Sequence, residues 1–118
     1  MNILYFEDNA QDMTLVQRYI STTTHHFIPV YRWEDLDPRN ASVDLVLLDI
    51  LIEGQPLGLE CVRMLREQGI RCPIVVITAL AMPHQLADYE RAGVDAVIKK
   101  PFDITDLAEI ISYYASQY

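Results

Sequence analysis

Five short apolar runs, separated by amphipathic segments, constrain the fold of this chain more than any other feature of its sequence. The runs are rich in Val, Ile and Leu, and most are continuous, which is typical of strands buried on both faces. Strands that alternate with helices favour an α/β fold, in which helices cover both sides of a parallel sheet. The predicted strands span residues 2–6, 27–31, 45–48, 74–77 and 96–98.

Helix signals fill the segments between the runs. Asn9 is a good N-cap for a first helix. A second helix is only weakly indicated, because the segment WEDLDPRNA at 33–41 is short and contains a proline. A third helix is predicted over 57–68, and a fourth begins at Pro83 and ends at Gly93.

The fifth predicted helix has the clearest pattern. Asp103 is its N-cap, and Phe102 can form a hydrophobic staple with Leu107. Helical spacing predicts a core-facing stripe of Ile104, Ala108, Ile111, Ala115 and Tyr118. Off this stripe lie Ile110, Tyr113, Tyr114 and Gln117. This second set indicates either a contact surface for a partner or partial burial at a sheet edge.

Length and charge limit the classes of function. The 118 residues fit one domain, which we place at 1–118. A formal net charge of −8 argues against direct binding of nucleic acid or anionic lipid. No apolar run approaches the roughly 20 residues that span a bilayer, and Cys61 and Cys72 lack metal-ligand spacing. We therefore expect a cytoplasmic domain with reduced thiols.

Polar side chains stand where the predicted strands end. Glu7 and Asp8 follow the first strand, Asp49 follows the third, Thr78 follows the fourth, and Lys100 follows the fifth. In a doubly wound sheet the carboxyl ends of the strands are neighbours, and function gathers there. The sequence therefore predicts three carboxylates, one hydroxyl and one ammonium in a single site.

Electrostatics restricts what such a site can be. Two charges about 4 Å apart repel by roughly 4 kcal/mol at an effective dielectric of 20. Three ionised carboxylates would thus cost on the order of 12 kcal/mol, so they must protonate, spread apart or hold a cation. Hard oxygen ligands suit Mg²⁺. A metal beside a lysine and a hydroxyl suits an incoming phosphoryl group, and a carboxylate can accept that group as an acyl phosphate.

With these residues in this order, the chain resembles a bacterial two-component response-regulator receiver domain. The resemblance covers nearly the whole chain and rests on Glu7-Asp8, Asp49, Thr78-Ala79, the stretch AGVDA at 92–96, and Lys100-Pro101. It implies a three-layer, flavodoxin-like fold whose five parallel strands are in the order 2-1-3-4-5. It also implies a phosphoacceptor switch, not an enzyme that acts on a separate metabolite.

The resemblance assigns roles to the site residues. Asp49 takes a phosphoryl group from a sensor histidine kinase or a phosphotransfer protein. Asp8 and Asp49 bind Mg²⁺ directly, Glu7 binds it through water, and the backbone carbonyl of Leu51 is a further ligand.

The other two strand-end residues respond to the phosphoryl group. Thr78 hydrogen-bonds an oxygen of the phosphoryl group, and the Lys100 ammonium pairs with the same group. The peptide bond between Lys100 and Pro101 is usually cis in this family. The surface of the fourth helix, fifth strand and fifth helix then signals to a downstream effector, and it can also form a homodimer.

Departures from the family pattern leave an alternative open. Glu53 and Leu57 stand where the family often has proline and glycine, and Val97 replaces an aromatic residue that serves as a rotating switch. A degenerate receiver, acting as a phosphorylation-independent protein-binding module, would fit these changes. A Mg²⁺-dependent phosphatase fits less well, because Leu51 replaces its second acid. A flavin-binding protein also fits less well, because Glu7 and Asp8 would repel the flavin phosphate in the loop after the first strand.

Two leucines near the acceptor bear on how long a signal persists. Leu51 and Leu80 stand two residues after Asp49 and Thr78, at positions that influence attack of water on the acyl phosphate in this family. Leucine side chains cannot orient that water. The sequence therefore predicts slow self-dephosphorylation.

Overall fold

A computed structural model of the chain describes residues 1–36, 42–50 and 58–118. These residues form a parallel five-stranded sheet in the order β2-β1-β3-β4-β5, as predicted. The strands are β1 (Asn2–Phe6), β2 (His26–Val30), β3 (Leu45–Asp49), β4 (Ile74–Thr78) and β5 (Ala96–Lys99). Each sequence-predicted strand is present, with ends that shift by one residue at most.

Helices cover both faces of the sheet, which confirms the three-layer α/β architecture. The α-helices in the described ranges are α1 (Ala10–Ser21), α2 (Gly58–Glu67), α3 (Pro83–Ala92) and α4 (Ile104–Gln117). The weak helix predicted within 33–41 is a single 3-10 turn at Trp33–Asp35, and residues 37–41 lie outside the described residues. The fourth and fifth predicted helices are therefore α3 and α4.

Alternation along β1 explains why four consecutive residues of this strand, from Ile3 to Phe6, are apolar. Ile3 and Tyr5 face the layer of α1 and α4, whereas Leu4 and Phe6 face the layer of α2. All five residues of β3 and all five of β4 are buried. A strand covered on both faces has no solvent side, and its sequence therefore reads as a continuous apolar run.

The helix boundaries follow the expected capping chemistry. Asn9 Oδ1 accepts a hydrogen bond from the Asp12 amide at 2.9 Å, and Asp103 Oδ1 accepts one from the Asp106 amide at 3.0 Å. α3 ends at Gly93, which has a φ of 102°, a left-handed conformation that favours glycine.

Two residues of the AGVDA stretch, Gly93 and Asp95, make structural contacts that the sequence did not predict. The Arg66 guanidinium at the end of α2 donates to the Gly93 carbonyl at 2.9 Å and to Asp95 Oδ2 at 2.8 Å. Asp95 Oδ2 also accepts from the Ile74 amide at 2.8 Å. One arginine thus ties α2 to the segment that leads into β5.

The predicted core stripe of α4 is partly wrong. Tyr118 is 79% exposed because the helix ends at Gln117, so its last residue has no core to face. Ile111 is buried and Ile104 packs against the core, as predicted, and Leu107 is a further buried position of the helix.

Residues predicted to lie off that stripe divide into two groups. Ile110 and Tyr114 pack partly against the core shared by α1 and α4, which agrees with the second of the two predicted alternatives, partial burial. Tyr113 is 57% exposed, as predicted. The exposed part of this helix face is therefore smaller than the sequence indicated.

None of the helices in the three described ranges combines the length and apolarity needed to cross a bilayer.

Gly58 is expected to be intolerant of any side chain. A Cβ at this position would overlap the carbonyl oxygen of Asp49 and the Cα of Ile50, and backbone atoms cannot move aside cheaply. Gly58→Ala should lower the free energy of unfolding by about 3 kcal/mol or more, measured by urea denaturation. Gly69→Ala, in open space but with a φ of 89°, should cost only about 1 kcal/mol. Equal costs for the two variants would contradict the close approach at Gly58.

Candidate functional site

Three acidic side chains meet at the carboxyl edge of the sheet. β1 and β3 are neighbours, with Phe6 opposite Leu48, so the residues that end them share one edge. One carboxylate oxygen from each of Glu7, Asp8 and Asp49 lies within 4.8 Å of the others. The convergence predicted from the strand ends is therefore present.

Glu7 is fully buried at the base of this cluster. Tyr5 Oη donates to its Oε2 at 3.2 Å, and the Asn9 amide donates to its Oε1 at 3.1 Å. Burial, together with the negative charge of Asp49, raises the pKa of Glu7 to about 8. Lys100 and the Asn9 amide act in the opposite direction but do not compensate.

Lys100 brings positive charge into the cluster. Its Nζ lies 2.9 Å from Asp12 Oδ2, 3.2 Å from Asp49 Oδ2 and 3.3 Å from Glu7 Oε2. Burial alone would lower the pKa of Lys100, but the hydrogen bond to Asp12 and the charges of Asp49 and Glu7 outweigh it and raise the pKa. The Lys100–Pro101 peptide bond is cis, and Lys99 is exposed, as expected.

Thr78 ends β4 at the same edge. It is fully buried, and the register places Asp49 opposite Ile77 and Thr78 opposite Lys99. Its Oγ1 accepts a hydrogen bond from the Leu80 amide at 2.9 Å.

The donor set fits a small, hard cation. Direct Mg–O bonds of about 2.1 Å place two ligand oxygens at most about 4.2 Å apart. The three carboxylates lie close enough together to share such a cation, directly or through its water. Both oxygens of Glu7 already accept hydrogen bonds, from Tyr5 and from the Asn9 amide. Leu51, whose carbonyl is the other predicted ligand, lies outside the described residues.

Two further residues of the site were missed from the sequence. Asp12, in the first turn of α1, is the nearest carboxylate to the Lys100 ammonium. Tyr5 donates to Glu7 from two residues earlier in the chain, where strand alternation turns both to the same side. The helix cap at Asn9 could have predicted the position of Asp12, and the strand alternation could have predicted that of Tyr5.

Tyr89 was also missed, because it comes from a helix and not from a strand end. Its side chain is 3% exposed and packs with Ile50 and Val76. Its hydroxyl donates to the Leu80 carbonyl in the segment that follows Thr78. The family resemblance directs attention to an aromatic switch at position 97, where this chain has Val97.

Comparison with known proteins gives a consistent result. The family model described as the response regulator receiver domain matches residues 3–112. The polar-differentiation response regulator DivK of Brucella ovis is 29% identical over 117 residues, which cover 96% of this chain and 94% of DivK. Response regulator RppA of Synechocystis sp. is 33% identical over 75 residues, or 64% of this chain. The match spans only 32% of RppA.

Two solved structures that share the fold are named as receiver domains. The beryllofluoride-activated receiver domain of DrrB, from Thermotoga maritima, has a TM-score of 0.86 at 19% identity, with 98% of this chain and 97% of that chain covered. A CheY-like receiver domain protein of Methanospirillum hungatei has a TM-score of 0.88 at 19% identity, with coverage of 98% and 94%. At these identities the likeness establishes the fold alone.

The buried Glu7 carboxyl predicts a specific pH dependence of stability. Its folded-state pKa lies above its unfolded value of 4.5, so between these values the folded state holds a proton that the unfolded state has released. Without divalent cations, the free energy of unfolding should therefore fall as pH rises from 5 to 8, by up to about 1.4 kcal/mol per pH unit from this group. Glu7→Gln should flatten the dependence in urea denaturation.

Glu67→Gln, at the exposed end of α2, is the matched control and should keep the wild-type slope. A Glu7→Gln protein whose stability falls as steeply as that of the wild type would contradict the protonation of Glu7.

Proposed function

Because this chain belongs to the response regulator receiver domain family, we propose that Asp49 accepts a phosphoryl group from a sensor histidine kinase or a phosphotransfer protein. The observation that carries the proposal is the position of the Asp49 carboxylate, 3.2 Å from the Lys100 ammonium and beside two more acids. Asp49 ends β3 at the carboxyl edge of the sheet and is 5% exposed.

The proposed chemistry is a simple phosphoryl transfer. An Asp49 oxygen attacks the phosphorus of a phosphohistidine, the new O–P bond forms, and the P–N bond breaks as neutral imidazole leaves after taking up a proton. Lys100 neutralises charge on the phosphoryl oxygens. Asp8 and Asp49 would hold Mg²⁺ directly and Glu7 through water, and the ion supplies further positive charge to the transferring group.

Phosphorylation would act on Thr78 and on the surface beyond it. The Thr78 hydroxyl would turn to a phosphoryl oxygen, and the change would bias the face formed by α3, β5 and α4. A groove of about 670 Å³ lies on this face between β5 and α4, lined in part by Val97, Ile110 and the exposed Tyr113. It supports contact with a downstream effector or, as a homodimer, with a second copy.

The partners follow from this assignment. The domain would work in the cytoplasm as a single unit over residues 1–118, with a histidine kinase or phosphotransfer protein as phosphodonor. Its net charge of −8 argues against direct contact with nucleic acid.

A degenerate receiver that binds partners without phosphate remains the second candidate. The observation that favours it is Val97, a small half-buried side chain where the family carries an aromatic switch. The labelling experiment below separates the two candidates.

Asp49→Asn should abolish phosphorylation. The amide is nearly isosteric but cannot form an acyl phosphate, so incubation with acetyl phosphate and Mg²⁺ should leave its intact mass unchanged. The wild type should gain the mass of one phosphoryl group. Asp35→Asn, on an exposed residue paired with Arg32, is the control and should be labelled as the wild type is. Full labelling of Asp49→Asn would refute the acceptor, and an unlabelled wild type would favour the degenerate receiver.

The acyl phosphate should be long-lived. The Leu80 side chain offers no group to orient water, whereas its backbone amide and carbonyl are both hydrogen-bonded. Leu80→Gln should keep those backbone bonds and shorten the phosphoryl lifetime severalfold by placing a polar group near the acceptor. Intact mass followed over time measures both lifetimes. Loss of label from the wild type within seconds to a few minutes would contradict slow dephosphorylation.

A further inference from the structure

Tyr89 is a buried aromatic residue of α3 that reaches the segment after β4. Its ring packs with Ile50, which directly follows Asp49, and with Val76 of β4. Leu80 and Val97 pack against the same cluster. The ring of Tyr89 therefore connects α3, on the proposed output face, with β4, which ends in Thr78, and with the residue that follows the acceptor strand β3.

Two hydrogen bonds connect Tyr89 to Thr78 through the backbone of one residue. The Tyr89 hydroxyl donates to the Leu80 carbonyl. The Leu80 amide donates to Thr78 Oγ1 at 2.9 Å. A movement of Thr78 toward Asp49 would pull on the Leu80 amide, and a shift of Leu80 would disturb the bond to Tyr89.

The surroundings leave the ring room to move. A groove of about 470 Å³ between α3 and β5 is lined by Tyr89 together with Leu86, Val94 and Val97. A second cavity of about 250 Å³, toward α2, is lined by Tyr89 with Leu59 and Gln85. Because residue 97 is a valine, the first groove holds no aromatic side chain from β5 that would block it.

The protonation state of Tyr89 is consistent with its role as a donor. Burial raises the pKa of Tyr89, and a hydrogen bond with the Thr78 side chain opposes the shift without cancelling it. The phenol therefore keeps its proton at neutral pH and can donate to Leu80.

We propose that Tyr89 is a positioning residue for Thr78. It holds the Leu80 segment in the resting arrangement, and it releases that segment when the Thr78 hydroxyl turns to a phosphoryl group on Asp49. The freed ring moves into the groove beside Val97, which carries the change to the surface of α3 and β5. The proposal rests on the proposed function, since it requires a phosphoryl group at Asp49.

The first test compares affinities for beryllofluoride in the presence of Mg²⁺. Tyr89→Phe keeps the ring and removes the hydrogen bond that the resting state uses and the bound state does not. It should therefore bind the probe about three- to tenfold more tightly than the wild type. Tyr31→Phe, on an exposed residue that follows β2 at the opposite edge of the sheet, should bind as the wild type does. An affinity of Tyr89→Phe within twofold of the wild type, or weaker, would overturn the proposal.

The second test observes the ring itself and needs no destabilised variant. In protein labelled with 3-fluorotyrosine, the Tyr89 resonance is the ¹⁹F signal that Tyr89→Phe lacks. Saturation with beryllofluoride and Mg²⁺ should shift this signal toward that of exposed tyrosines, and the signal of Tyr31, at the opposite edge of the sheet, should stay in place. An unmoved Tyr89 signal in protein that binds the probe overturns the inference alone. Wild-type protein that neither binds the probe nor accepts phosphate overturns the proposed function as well.

Discussion

The repulsion among acidic side chains at one edge of the sheet is the constraint on which the site depends. Glu7, Asp8 and Asp49 lie within 4.8 Å of one another, and Asp12 adds a fourth carboxylate from α1. Lys100 is the cation that the described residues place among them. One ammonium cannot balance four carboxylates. Protonation of Glu7 removes one of the three unbalanced negative charges, and a divalent cation could balance the other two.

The parallel sheet brings the acidic side chains together at one edge and also restricts how far they can separate. Strands of one direction end at one edge, so residues far apart in sequence meet there with little freedom to separate. The same packing that buries β1, β3 and β4 on both faces removes the water that would otherwise screen the charges. The crowded carboxylates destabilise the folded state, so the site gains from a bound cation, whose positive charge would also offset that of an incoming phosphoryl group.

Local patterns were sufficient to predict the fold and most of the site. The strands were predicted from continuous apolar runs, and the helices from their caps and from the glycines at their ends. The observed ends differ little from the predicted ones. The polar residues at the strand ends predicted the acidic cluster. Residues that depend on the angle between elements were harder to predict. The exposure of Tyr118 depends on where α4 leaves the core, and the contact of Asp12 with Lys100 depends on how α1 is seated against β5. The segment at 51–57, with Leu51, lies outside the described residues.

Tyr89 and Val97 illustrate why residue-by-residue comparison with a family pattern can mislead. Both side chains contribute to one apolar cluster between the sheet and α3. Interiors are close-packed, so a large ring from one element leaves space for only a small side chain from the other. The loss of an aromatic residue on β5 and the presence of one on α3 can therefore be a single packing solution. On that view Val97 does not by itself indicate a silent receiver, because the aromatic ring that contacts the segment after Thr78 is supplied by the helix.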